Sequence, residues 1–589
     1  MIVYSNSRCI GFLITLCLMF PSPGFAIPPV DEQRAIEQQN RILQQQDKAF
    51  DQWQQQHQHE QQSPDIEIDI PQQPSATGAN KNRCFEVQTI TLEGAAKVDA
   101  QTQQQLVAPY INTCISVQSI QSLVKEVTAY YVGKGYITTR VYVPKQDLHQ
   151  GSLKLQVIEG KLEAIQLNKN STQDQWQVAT AFPQMKRGEL LNLRDLEQGL
   201  DQMGRLSSNN ATMDLLPGKE KGSSIVSLSN TPQHQTRFVL GADNAGQKST
   251  GEYRLKGTLY RDNLIGVNDF WSLNYAENPD STSGKLSRSA GLYVSVPYGY
   301  WTFSSNATYS EYESTINGSV TDFITSGNTD NYSVDLSRLI YRSQTQKLSL
   351  AGRLDLKESE NFIEDVKIDN SSRSLSVASL TLDHSYHYNG HTLSSAMAYH
   401  QGLDAFGAKE DGSGLTSVNP RAQFQKFTAD VNYCHPVPLS GSFALNYCGN
   451  AQGQYSFDPL YSQEQLAIGD QYSVRGFKEN GISGDSGAYL RNELSFVLPP
   501  LSDKEWYQSV IGSIQPFVAY DNGMIRDMGG KEANGGRGKG YLSGWATGIN
   551  IQSPYLNIGL TYSQPITSPS FVTERDDEIY ASASVTIRL

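Results

Sequence analysis

A guanidinium and a carboxylate are the first candidates for chemistry in this chain. Arg475 lies in Val474-Arg475-Gly476-Phe477, and Asp521 follows in Phe517-Val518-Ala519-Tyr520-Asp521-Asn522-Gly523. An arginine fork can meet a carboxylate through two parallel hydrogen bonds, which fixes orientation as well as charge. Gly476 lets the backbone turn sharply there, and Phe477 is suited to wedge against an apolar wall. The bland alternative is a surface loop with an incidental arginine. No Ser/His/Asp order, zinc spacing or supported carboxylate pair accompanies these residues, so no enzyme activity, metal or cofactor is expected. Gly529 to Gly540 lacks the Lys-Ser/Thr and the following helix of a phosphate loop.

The elements that must position such a pair follow from bulk properties first. The chain has 589 residues and a net charge of -13, with a pI near 5.3 and a mean hydropathy of -0.45. A basic footprint for nucleic acid is absent. The one strongly apolar run, Ile10 to Phe20, is too short to span a bilayer as a helix. Arg8 precedes it and Pro21-Ser22-Pro23-Gly24-Phe25-Ala26 follows, so residues 1–26 read as a secretory signal peptide. Its removal leaves Cys84, Cys114, Cys434 and Cys448. Four cysteines allow three connectivities. Sequence neighbours, Cys84–Cys114 and Cys434–Cys448, are the simplest choice in an oxidising export compartment, with free thiols as the alternative.

The mature chain changes texture several times. Residues 27–60 are Gln-rich and helix-prone, with a thin apolar stripe that includes Ile36, Leu43, Phe50 and Trp53. Such a stripe builds no core alone and must dock or lie in a polar cavity. His57 and His59 read as solvated spacers. Residues 61–83 are a Pro-containing linker. Residues 84–160 read β-α-α-β-β, with strands at Phe85–Leu92, Tyr136–Val143 and Ser152–Ile158 and helical periodicity over Leu106–Ile111 and Val117–Val132. Residues 161–232 repeat that order.

From residue 233 to 589, segments of roughly ten residues alternate in polarity between turns. Leu348, Leu350, Gly352, Leu354 and Leu356 alternate with Ser349, Ala351, Arg353, Asp355 and Lys357. The last strand alternates Ile579, Ala581, Ala583, Val585, Ile587 and Leu589 with polar residues. Apolar-out, polar-in alternation predicts a transmembrane barrel with a wet lumen, because lipid forbids an open sheet. A soluble sandwich alternates too, but about 350 residues of strands exceeds one sandwich. The pattern gives about 16 strands, with short turns facing the periplasm and long loops outside. The 31 tyrosines fit interfacial girdles as well as plain β propensity.

Val474-Arg475-Gly476-Phe477, preceded by Glu464-Gln465 and Gly469 and followed by Gly484 to Gly487 and Arg491-Asn492-Glu493, resembles the loop-six tip of the Omp85 superfamily in its TpsB branch. These are the outer-membrane transporters of two-partner secretion. Gly135, Tyr136, Thr139, Arg140 and Pro144 resemble the motif of their first POTRA domain, and Leu191 to Glu197 with Asn209 to Gly218 resemble the second. Asp470 departs from the family, standing where a second glycine is common. So does Leu589, where such chains more often end in Phe.

The resemblance implies a membrane all-β fold: a 16-stranded transmembrane β-barrel preceded by a plug helix (27–60) and two periplasmic POTRA domains (84–160 and 161–232). Loop six, about 458–484, would fold into the lumen and set Arg475 against Asp521, in a partly wet pair flanked by Phe517 and Gly523. Open sheet edges of the POTRA domains would take up an extended substrate by strand addition. The implied partners are a secreted TpsA-type protein with an amino-terminal secretion domain, the outer-membrane bilayer, and periplasmic chaperones with the barrel-assembly machinery. The expected activity is secretion of an unfolded haemolysin, adhesin or contact-dependent inhibition toxin without nucleotide, driven by cargo folding outside. An Omp85-type assembly insertase is the alternative, although two POTRA domains are few for one. A diffusion porin would lack those domains.

Overall fold

The computed structural model describes residues 84–168, 172–279, 284–369, 371–438, 444–499, 501–528, 539–572 and 576–589. The expected signal peptide and linker, and residues Ile36, Leu43, Phe50 and Trp53 of the expected plug helix, lie outside the described residues.

Two small α/β units come first. The first comprises β1 (Cys84–Val87), β2 (Thr89–Glu93), α1 (Ala100–Val107), β3 (Thr113–Ser116), α2 (Val117–Gly133), β4 (Arg140–Tyr142) and β5 (Ser152–Ile158). Asp99 caps α1 through the Thr102 N–H, and Ser116 and Ser119 form a capping box at the start of α2. Ile120, Leu123, Val127 and Tyr131 then fall on one buried face of α2 and meet Val87, Leu153 and Leu155 in a common core. The second unit comprises β6 (Lys161–Leu167), α3 (Thr172–Ala181), α4 (Leu193–Gly204), β7 (Thr212–Pro217) and β8 (Ser223–Ser229). Each unit has a three-stranded sheet, ordered β2-β5-β4 and β6-β8-β7.

The first unit differs from the sequence reading in two places. The strand expected over Phe85–Leu92 is broken at Gln88, where the N–H turns aside to the Gly151 carbonyl at 2.7 Å. Its first half pairs with β3, a strand the helical periodicity concealed, in a separate ribbon. The strand expected over Tyr136–Val143 shrinks to Arg140–Tyr142, because Gly135 takes a positive φ of 92° and the next residues serve the joint between the units.

Sixteen strands then close into an antiparallel barrel. They are β9 (Thr236–Asp243), β10 (Arg254–Asp262), β11 (Phe270–Glu277), β12 (Lys285–Tyr298), β13 (Trp301–Ile316), β14 (Phe323–Arg342), β15 (Gln346–Ile363), β17 (Arg373–Tyr388), β18 (His391–Leu403), β19 (Gln425–Pro438), β20 (Ala444–Ser456), β23 (Ser486–Val497), β24 (Ser513–Arg526), β25 (Lys539–Gln552), β26 (Leu556–Thr567) and β27 (Glu578–Arg588). The short β16 (Val366–Lys367) extends one outer hairpin. β27 pairs with β9 and leaves no edge. Alternation sorts the faces as lipid requires: Tyr332, Val334 and Leu336 of β14 point outward and exposed, while Thr325, Thr329 and Ser333 are buried toward the lumen. Strand lengths are uneven, from 8 residues in β9 to 20 in β14.

Both cysteine pairs are bonded, Cys84–Cys114 between β1 and β3 and Cys434–Cys448 across β19 and β20. A cross-link over a 30-residue separation stabilises by about 3–4 kcal/mol in the chain-entropy picture. Cys114→Ser is therefore expected to lower the urea midpoint for proteolysis within residues 84–160 while the barrel stays resistant. An unchanged midpoint would show that the core of α2 suffices.

Candidate functional site

Loop six leaves the wall after β20 and returns into the lumen as a small hairpin, β21 (Leu466–Ile468) and β22 (Ile482–Gly484). Its tip brings Arg475 onto Asp521 of β24. The Nε donates to Oδ2 at 2.6 Å and Nη2 to Oδ1 at 3.0 Å, while Nη1 donates to Glu493 of β23 at 3.0 Å. The pairing is bidentate, but it is drier than the sequence suggested. Arg475 is 3% exposed and Asp521 0%. Val474 and Phe477 seal it, packed with Leu466, Ile468, Ile482, Ile525, Leu542 and Val572. Phe517 lies under the guanidinium, its ring centroid 5.7 Å away.

The wall is cut to receive this tip. A Cβ on Gly544 of β25 would sit 2.1 Å from the Arg475 carbonyl oxygen, and one on Gly540 2.3 Å from Ile482. Gly523 would press on Ile468 and Val474. Gly476 has a φ of +97°, and a side chain there would meet Gln564 and Pro565 of β26. Inward glycines on adjacent strands thus form a trough whose depth matches the loop backbone. The sequence reading held Gly476 and Gly523 but missed Gly540 and Gly544, whose only signal is their spacing on one strand face.

A second anchor holds the root of the loop. Glu464 is 5% exposed and sits between Lys357 of β15 and Lys426 of β19, each at 2.8 Å. Lys426 also donates to the Glu464 carbonyl at 2.8 Å. Burial alone would raise the Glu464 carboxyl, but the two ammonium groups outweigh it and hold it well below the usual carboxylate range. Asp485 closes the hairpin base, accepting from the Leu460 and Met528 N–H groups at 2.8 Å each. Nearer the tip, Lys478 pairs with Glu252 at 2.9 Å. Its backbone N–H donates to Glu578 at the start of β27.

The first-unit motif builds a joint. Gly135 carries the turn after α2, and its carbonyl accepts from the Leu193 N–H at 2.8 Å. A Cβ there would collide with the Asn192 side chain. Tyr136 packs on the first core and Ile137 belongs to the second. Thr139 is 2% exposed, and Arg140 ties the turn by donating to the carbonyls of Ile137 and Thr139. The Pro144 carbonyl accepts from Gln146 at 3.3 Å. The second unit is docked on the barrel's periplasmic turns. Gln198 and Gln202 of α4 both donate to the Gly299 carbonyl. Arg342 pairs with Glu197 at 3.2 Å and with Asp201, and Lys347 reaches Asp201 at 2.6 Å. Arg205 donates to Ser295 at 2.7 Å and to the Asn268 carbonyl at 3.0 Å. The sequence reading did not anticipate this dock, because polar residues on a helix read as a solvated face.

Comparison with known proteins agrees with this architecture. The sequence profile of haemolysin secretion/activation proteins ShlB/FhaC/HecB matches residues 222–551. Profiles of the ShlB-type POTRA domain and of a further POTRA domain match residues 85–160 and 161–217. The chain is 32% identical over 572 residues to the outer membrane transporter CdiB of Dickeya dadantii, covering 97% of each. It is 36% identical over 384 residues to the hemolysin transporter protein ShlB of Serratia marcescens, covering 65% of this chain and 67% of that one. Its structure is similar to that of CdiB from Escherichia coli, with a TM-score of 0.81 at 29% identity over 96% of this chain and all of the other.

Removing one member of a buried ion pair leaves an uncompensated charge and costs about 3–5 kcal/mol. Asp521→Asn is expected to split loop six into two populations, read as a second distance between nitroxides at Gln471→Cys and Ser417→Cys. One unchanged distance would show that the apolar contacts alone hold the tip. Glu464 adds a pH dependence. Its folded-state value is depressed, so its contribution is complete above the ordinary value of 4.5 and is lost as pH falls below that toward the lower folded value. The Gln471–Ser417 label distance should therefore broaden on acidification below about pH 4.5 in the parent and show no such step when Glu464→Gln is added.

Proposed function

The chain belongs to the family of haemolysin secretion/activation proteins ShlB/FhaC/HecB and is an outer-membrane transporter of two-partner secretion, and on that premise we propose how it handles its cargo. The POTRA domains lie in the periplasm and take up a partner exoprotein. We read that partner as a haemolysin, an adhesin or a contact-dependent inhibition toxin, carried unfolded and without nucleotide. No catalytic step enters this reading.

The observation that carries the proposal is a cleft of about 470 Å³ in the second POTRA domain, between β6 and α3. Leu162, Ile165, Leu167, Val178, Phe182 and Met185 line it. β6 is an edge strand of its sheet, so it can accept an extended peptide by main-chain hydrogen bonding, with apolar side chains entering the cleft. The edge is narrower than the sequence suggested. Leu162 is already bonded to Gly188 and Glu189 at 2.7 and 2.8 Å, leaving the stretch from Ala164 onward. Tyr298, at the end of β12, also lines the cleft, so a bound segment lies beside the mouth of the barrel.

From there the segment meets loop six. The Arg475–Asp521 pair, the Glu464 anchor and the glycine trough form the latch of this reading. A buried pair of this strength holds the closed position firmly, so an incoming chain must supply competing contacts for the loop to yield.

Ala179 is exposed on α3 and lines the cleft. Ala179→Arg fills that space while leaving the domain core intact. It is expected to cut the partner protein in the culture medium at least tenfold, corresponding to about 1.4 kcal/mol, at equal barrel content in the outer membrane. Normal secretion from this variant would place cargo capture elsewhere.

A further inference from the structure

The periplasmic connection between β23 and β24 differs from its neighbours. The described turns on that side occupy residues 263–269, 299–300, 343–345, 389–390 and 553–555, whereas this connection joins Val497 to Ser513. It carries a short helix, α5 (Glu505–Val510). Local hydrogen bonds hold the helix: Tyr507 N–H to the Lys504 carbonyl at 2.9 Å, Ile511 N–H to the Tyr507 carbonyl at 2.8 Å, and Gln508 Nε2 to the Ser502 carbonyl at 3.0 Å.

Its side chains divide by polarity. Leu501 is 75% exposed, Trp506 61% and Val510 42%. Trp506 and Val510 stand four residues apart and share a helix face. Glu505, Gln508 and Ser509 take the other, with Asp503 and Lys504 exposed beside it. An apolar face left uncovered by the described residues needs another apolar phase. The nearest is the lipid around the barrel. Phe496, at the end of β23, and Val518 of β24 are both exposed on the lipid-facing wall, and the connection continues directly from those strands. Exposed aromatics also mark the periplasmic ends of other strands, among them Tyr298, Trp301, Tyr341, Tyr388 and Tyr555. Tryptophan and tyrosine settle at that depth because their rings are amphipathic.

We propose that residues 501–512 form a membrane foot: Leu501, Trp506 and Val510 enter the headgroup–acyl boundary of the periplasmic leaflet, and the charged face of α5 stays in water. The occupant of this apolar face is phospholipid, as in helices that lie in the interface without spanning it. The dock of the second POTRA domain rests on the turns at 263–269, 299–300 and 343–345 together with their flanking residues, so the foot meets the leaflet at a different part of the barrel rim.

The test uses the full chain in vesicles of phosphatidylethanolamine and phosphatidylglycerol. Cys84, Cys114, Cys434 and Cys448 are disulfide-bonded, so with Cys9→Ser and Cys17→Ser a nitroxide can be directed to Val510→Cys or Glu505→Cys. At Val510→Cys the label should relax with oxygen more than with a water-soluble nickel chelate, and at Glu505→Cys the order should reverse. In an unlabelled sample, the difference in emission between the parent and Trp506→Phe should be blue-shifted and lost with lipids brominated near the headgroup. Nickel access at both positions would show a solvated loop. Shielding of Val510→Cys from both reagents, with no bromine quenching, would show a protein partner on this face. Either result overturns the proposal.

Discussion

Hydrocarbon offers no hydrogen bonds, and the rest of this molecule is arranged around that fact. A strand in lipid must give every N–H and C=O to a neighbour, so the sheet closes β27 onto β9 and has no edge. Closure creates an inside, and an inside of sixteen strands is too wide for side chains alone to fill. Loop six occupies part of it. The polar side chains banned from the outer face line the lumen, which is why Arg475, Asp521, Glu493, Glu464, Lys357 and Lys426 find partners there and not in solvent.

Loop six is held from opposite ends by different physics. At the root, Glu464 is clamped by two cations on β15 and β19. At the tip, one cation meets two carboxylates on β23 and β24, and an apolar seal removes water from them. The glycine trough makes the tip contact possible, since the loop backbone reaches Asp521 only if Gly544 and Gly523 leave the space empty. The desolvated pair has a specific cost structure. It contributes little over an apolar substitute, yet loss of either partner alone is expensive. Its use is therefore positional: it defines one place for the loop with little tolerance for an approximate fit.

The barrel was the most legible part of the sequence, because period-two alternation is imposed by lipid on each strand separately and recurs sixteen times. The Arg475–Asp521 partnership was legible through residue type within a family-like motif. Glu464 was visible only as a flanking residue, since a single carboxylate in a loop has no period and its lysines lie in distant strands. β3 was hidden for another reason: four residues between two helices cannot establish an alternation. The shortened β4 reflects tertiary override, because Ile137 and Thr139 are spent on the joint with the second domain. Dryness around Arg475 was also beyond the sequence, since it depends on Val474 and Phe477 meeting Leu542 of β25 and Val572 of the β26–β27 loop.

The uneven wall has a consequence for the solvent as well as for the protein. β9 has 8 residues, which at about 3.3 Å per residue and a tilt near 40° spans roughly 20 Å of membrane height. The 20 residues of β14 reach far beyond the band that lipid requires. Acyl chains beside the short wall must compress to meet it, while those beside the long wall need not, so the molecule carries a standing gradient of bilayer thickness around its circumference. Elastic strain in a fluid sheet relaxes when equally thinned regions merge.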